Sequence, residues 1–95
     1  MKLAWSDEAL AELSAIVFYI AKDNPGAAGN LAESMYTGTE QLLTTHPNLG
    51  RKGRVNGTLE LVIHASYIIV YQIEKDKIII LGLRHTARLW PKLFK

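Results

Sequence analysis

Two stretches of this chain, Tyr67-Ile68-Ile69-Val70-Tyr71 and Ile78-Ile79-Ile80-Leu81, are apolar at every position, and they constrain the fold more than any other feature. A strand with one wet face alternates apolar and polar side chains, so an unbroken β-branched and aromatic run predicts a strand covered on both faces. A third run, Thr58 to Ile63, gives three consecutive strands over 58–63, 67–73 and 78–83. Ala65-Ser66 reads as a tight turn and Glu74-Lys75-Asp76-Lys77 as a polar hairpin loop, so the three strands form an antiparallel meander. The chain has 95 residues, of which 48% are apolar, enough for one domain over 1–95 with its own core.

The cover for that sheet comes from the first half, where the apolar period changes to that of helices. Ser6 is an N-cap followed by Asp7 and Glu8, carboxylates that favour the positive end of a helix dipole. Trp5 and Leu10 have the spacing of a hydrophobic staple, and Leu10, Leu13, Val17 and Ile20 form one face of a helix ending near Lys22. Asn24-Pro25 breaks this helix and starts the next, with proline at the first helical position. Ala28, Leu31, Met35, Gly38 and Leu42 form the stripe of the second helix, with Gly38 marking a close approach to the first, and His46-Pro47 stops it. The expected class is therefore α+β: an N-terminal antiparallel helix hairpin packed on a small, mostly antiparallel twisted β-sheet. Two helices cover one face; the Thr86 to Lys95 segment, a partner or both must cover the other.

Charge is distributed unevenly. Residues 1–40 carry two basic side chains against six acidic ones, and residues 41–95 carry nine basic against three, so the halves stand at −4 and +6. A basic second half suits an acidic partner or a phosphate backbone, while a solvated surface is the plainer account. With no cysteine, the chain has no disulfide framework, thiolate nucleophile or cysteine-bound zinc. Its acidic early residues do not fit a secretory leader and no run approaches a membrane span, so a cytoplasmic protein without membrane contact is expected. His46, His64 and His85 are scattered without a carboxylate cluster, so no metal and no cofactor is expected.

Several strings carry a resemblance: Tyr19-Ile20-Ala21 with Asn24-Pro25 and Ala27-Ala28; His46-Pro47 with Gly50-Arg51 and Gly53-Arg54-Val55; Gly57-Thr58 with Glu60-Leu61-Val62-Ile63; Tyr67 to Tyr71; and His85-Thr86-Ala87-Arg88 with Trp90-Pro91. Together and in this order they resemble the RelE/ParE superfamily, the toxins of type II toxin–antitoxin systems. The resemblance implies the RelE/ParE ribonuclease-like fold and growth inhibition unless a cognate acidic antitoxin is bound, in a complex able to oligomerise. Arg54, Arg88, Trp90 and Phe94 are the candidate antitoxin contacts, because carboxylates mask a patch that otherwise binds phosphate.

Two activities follow from the resemblance. RelE-like members cut messenger RNA on the ribosome, a reaction needing proton transfer and cations around the phosphate. His85, with Arg54 and Glu60, is the candidate catalytic set. Arg51, Lys52, Arg54, Arg84 and Arg88 are the candidate phosphate or target contacts, and the plainer account of His85 is a hydrogen-bonded residue at a strand end. ParE-like members inhibit DNA gyrase by binding. RelE-like ribonucleases typically carry arginine second in the Tyr67–Tyr71 string, where this chain has Ile68, and close relatives have arginine where it has Leu59, which would extend the basic surface beside Arg54. An alkyl group cannot stabilise a phosphorane dianion, a loss of about 3 kcal/mol, so Ile68 favours the ParE-like branch. Leu59 fits either natural variation or a detoxified chain. Trp5, Phe18 and Tyr71 are expected in the core, whereas Trp90 and Phe94 either fold over the sheet or anchor a partner.

Overall fold

The computed structural model describes residues 1–64 and 67–85. The chain order is β1 (Lys2–Trp5), α1 (Asp7–Ala21), α2 (Pro25–Thr45), β2 (Arg51–Lys52), β3 (Leu59–His64), β4 (Tyr67–Glu74) and β5 (Lys77–His85). The strands form one sheet in the order β1-β5-β4-β3-β2. The meander β3-β4-β5 is antiparallel as expected, and the turn between β4 and β5 is Lys75-Asp76, with Lys75 in the left-handed region at φ 55.

The two outer strands were not expected. β1 pairs in parallel with β5, Leu3 opposite Ile78 and Trp5 opposite Ile80; a partner more than 70 residues away leaves no local pattern in a four-residue strand. β2 is two charged residues long and pairs with β3, so its sequence carries no strand pattern at all.

Both helix caps form. The Ser6 hydroxyl accepts the Ala9 N–H at 3.0 Å, and Asn24 Oδ1 accepts the Ala27 N–H at 3.1 Å. α1 and α2 lie on one face of the sheet, and the core joins Ala9 and Leu13 of α1 and Leu31, Met35 and Leu43 of α2 to Tyr67, Ile69, Tyr71, Ile78, Ile80 and Leu83. The apolar stripes differ from expectation. On α2 the buried line runs Ala28, Leu31, Met35, Thr39, Leu43; repeated steps of four wind the contact line around the helix, which leaves Leu42 39% exposed. Gly38 marks no close approach, since a Cβ there would meet nothing within 4 Å.

On α1 the inward face is Ala9, Leu13, Ile16, Val17 and Ile20, and Leu10 points away from it, 39% exposed. Trp5, the expected staple partner of Leu10, belongs to β1, and its ring stacks on Tyr36 with centroids 5.3 Å apart. Phe18, expected in the core, is 72% exposed, whereas Tyr71 is fully buried. The expected cover of the second sheet face by Thr86 to Lys95 lies outside the described residues.

Candidate functional site

Arg51 and Lys52 are carried on β2, and a core tyrosine fixes where that strand begins. The Tyr71 hydroxyl accepts the Gly50 N–H at 2.9 Å and donates to the Pro47 carbonyl at 2.8 Å. Gly50 has no room for a side chain: a Cβ would lie 2.7 Å from the Tyr71 hydroxyl and 2.9 Å from the Glu60 carbonyl oxygen. Burial pushes the Tyr71 phenol above its ordinary value of 10.0, and the Gly50 N–H offsets part of that rise by favouring the phenolate.

Beyond β2 the chain turns tightly into β3. The Gly53 N–H donates to the Thr58 carbonyl at 2.8 Å, and the Thr58 hydroxyl donates to the Val55 carbonyl at 2.6 Å. Glu60, the candidate base, stands directly opposite Arg51, and its carboxylate accepts the Arg54 backbone N–H at 3.2 Å. Glu60 therefore braces the turn that presents Arg54 and faces a cation across the ladder, where opposed Cβ atoms lie about 5 Å apart.

Strand register decides which candidates share a face. One row across the sheet reads Arg51, Glu60, Val70, Gly82, and the next Val62, Ile68, Arg84. Arg51 and Arg84 thus share a face, three strand spacings across and two residues along, about 16 Å apart. Ile68 and Val70 stand between them, only 3% and 8% exposed. Lys52 is opposite Leu59 and His85 opposite Tyr67, and both belong to the other, helix-covered face. The His85 ring meets the Tyr67 ring edge-on at 4.9 Å. Glu60 is a candidate base only on the condition that it faces the same cleft as His85; their partners on β4, Val70 and Tyr67, are three residues apart and point to opposite faces.

Arg84 is engaged from a residue that sequence reasoning passed over. β1 stops at the level of Ile80, so β5 beyond it has a bare edge, and α1 covers that edge. The Ser6 hydroxyl donates to the Leu81 carbonyl at 3.3 Å, and the Leu83 N–H donates to Glu12 Oε1 at 2.8 Å. Glu12 Oε2 also lies 3.8 Å from the Arg84 guanidinium, a half-exposed pair worth under about 1 kcal/mol. Glu12 is the only charge between Ala9 and Ala21, and that isolation on an apolar helix was the available signal.

The two departures from the family pattern also have positions. Ile68 fills the centre of the face between Val62 and Arg84. Leu59 packs partly buried against the core, opposite Lys52 and Tyr71. An arginine at 59 would thus point to the helix-covered face, not extend the face that carries Arg51. Arg88, Trp90 and Phe94 lie outside the described residues. Among the described residues no group of histidines and carboxylates is arranged to hold a metal, and no helix is long and apolar enough to cross a membrane.

A family model described as the ParE toxin of the type II toxin–antitoxin system parDE matches residues 3–90. The chain belongs to that family. This ParE-family toxin is 37% identical to Y4kP of Sinorhizobium fredii over 93 residues, 97% of this chain and 95% of that protein. It is 36% identical to toxin RelE2 of Caulobacter vibrioides over 89 residues, 93% of this chain and 98% of that protein. Its fold is that of a chain of the chromosomal ParDE system of P. aeruginosa, with a TM-score of 0.80 at 22% identity over 90% of this chain and 95% of the other. The YoeB/ParE toxin of Agrobacterium tumefaciens superposes with a TM-score of 0.63 at 18% identity, covering 90% and 98% of the two chains. As a type II toxin–antitoxin toxin, it has a cognate antitoxin as its partner.

Proposed function

We propose that this toxin arrests growth in the ParE manner, by binding DNA gyrase or another replication protein without cleaving a phosphodiester. The observation that carries the reading is Ile68: a buried alkyl group occupies the centre of the face, between Arg84 and Val62, where phosphoryl chemistry would need a fixed cation. Two further placements support it. His85 is on the face opposite Glu60, and both Arg51 and Arg84 have a carboxylate beside them. In this reading Arg51, Lys52, Arg54, Arg84 and Arg88 contact the target. Arg54 and Arg88 meet the carboxylates of the antitoxin, and Trp90 and Phe94 anchor its apolar side chains.

The direct test is gyrase supercoiling with purified toxin. Loss of supercoiling, reversed by the cognate antitoxin, is expected. Undiminished supercoiling under a large excess of folded toxin removes gyrase as the target. New messenger RNA 5′ ends on induction that vanish in His85→Ala replace binding with ribosome-dependent cleavage. Normal growth on induction without antitoxin leaves a chain that retains only antitoxin binding.

A further inference from the structure

Among the described residues, α1 has a face that no other element covers. Asp7, Ala11, Ser14, Phe18 and Lys22 follow one another in steps of three and four, so they share one stripe, and all five are exposed. Phe18 is 72% exposed and Leu10, beside the stripe, 39%. The one charge in the middle of α1, Glu12, is turned to β5. Three turns of solvent-facing helix therefore carry no charge, bounded by Asp7 and Glu8 at one end and Lys22 at the other. Large exposed side chains on an uncharged helix face mark an interface.

We propose that this face pairs with a second copy of the chain, the two α1 helices lying antiparallel about a twofold axis that passes between Ser14 and Ala15. In that register Phe18 of each copy comes level with Ala11 and beside Leu10 of the other, a large side chain against a small one. Lys22 of each copy comes level with Asp7 and beside Glu8 of the other, so both ends of the contact join opposite charges. Parallel pairing would set Asp7 and Glu8 against themselves and Phe18 against Phe18. An acidic antitoxin segment fits this face less well than a second copy does, because Asp7 and Glu8 repel carboxylates. A helix of 15 residues is about 22 Å long. The contact is at the small end of specific interfaces, on the order of 1,000 Å² over both copies, and dissociation in the range of about 10 µM is expected.

Sedimentation velocity of the full-length toxin from about 1 to about 200 µM reads this directly. The expected result is a reversible monomer–dimer equilibrium. Phe18→Glu should shift it at least about tenfold toward monomer with unchanged circular dichroism and melting temperature, since the residue is exposed. Asp7→Lys and Lys22→Glu should each weaken the dimer, and the double variant, which exchanges the charges, should restore it at low salt. A toxin monomeric throughout the range overturns the proposal, as does a Phe18→Glu variant that dimerises like the parent or an exchange that fails to rescue. A monomeric parent whose Phe18→Glu variant also fails to capture antitoxin assigns the face to the antitoxin instead.

Discussion

At the scale of single residues, two buried polar groups contrast. The Tyr71 hydroxyl is satisfied twice, by Gly50 and Pro47, and its loss leaves a backbone N–H and a carbonyl without partners. Tyr71→Phe should therefore cost about 1–3 kcal/mol in denaturant unfolding. The pH dependence has a definite sign. Because the folded phenol titrates above 10.0, its contribution is complete below the unfolded value and is lost as pH rises through the folded one. Alkaline unfolding should begin above about pH 10, and Tyr71→Phe should flatten that limb. Thr39 is the opposite case. It is fully buried, and its hydroxyl has no hydrogen-bond partner among the described residues, unlike Thr44 and Thr45, which bond back to the Glu40 and Gln41 carbonyls. Thr39→Val should raise stability by about 1 kcal/mol, read as an increase in the urea midpoint.

At the scale of elements, α2 carries a glycine that its packing does not require. Gly38→Ala meets open space and should stabilise by about 0.5–1 kcal/mol, read as a raised melting temperature; a loss would reinstate the close approach that the sequence suggested. α1 is tied to the bare edge of β5 by Glu12, so Glu12→Ala should speed hydrogen exchange at the Leu83 amide while the Ile69 and Ile80 amides keep their protection. The meander and the helix hairpin were legible because Asn24-Pro25, His46-Pro47 and the β-branched runs act locally. The inward faces of the helices were legible only in part. Leu10, Phe18 and Leu42 are apolar yet exposed, and the count of residues per turn does not tell which side of an almost wholly apolar helix meets the sheet.

At the scale of the whole molecule, Arg51 and Arg84 are held on one sheet face and the exposed Phe18 on the far side of α1, so target binding and self-association should separate. Arg51→Glu with Arg54→Glu is expected to lower inhibition of the target by at least about tenfold, most strongly at low salt. The sedimentation behaviour should stay that of the parent, the melting temperature should fall slightly because both changes set a carboxylate beside Glu60, and equal inhibition by parent and variant would take the basic face out of the mechanism. The sequence by itself determined the α+β class, the helix caps, the three-strand meander and the family, because each rests on local chemistry or on ordered motifs. Tertiary structure alone decided that β1 runs beside β5, that Glu12 caps a strand edge, and that Glu60 and His85 lie on opposite faces. The physical reason is that strand side chains alternate with a period of two, so a shift of one residue in register, set by distant pairing and by the bulge between Val70 and Tyr71, carries every side chain to the other face.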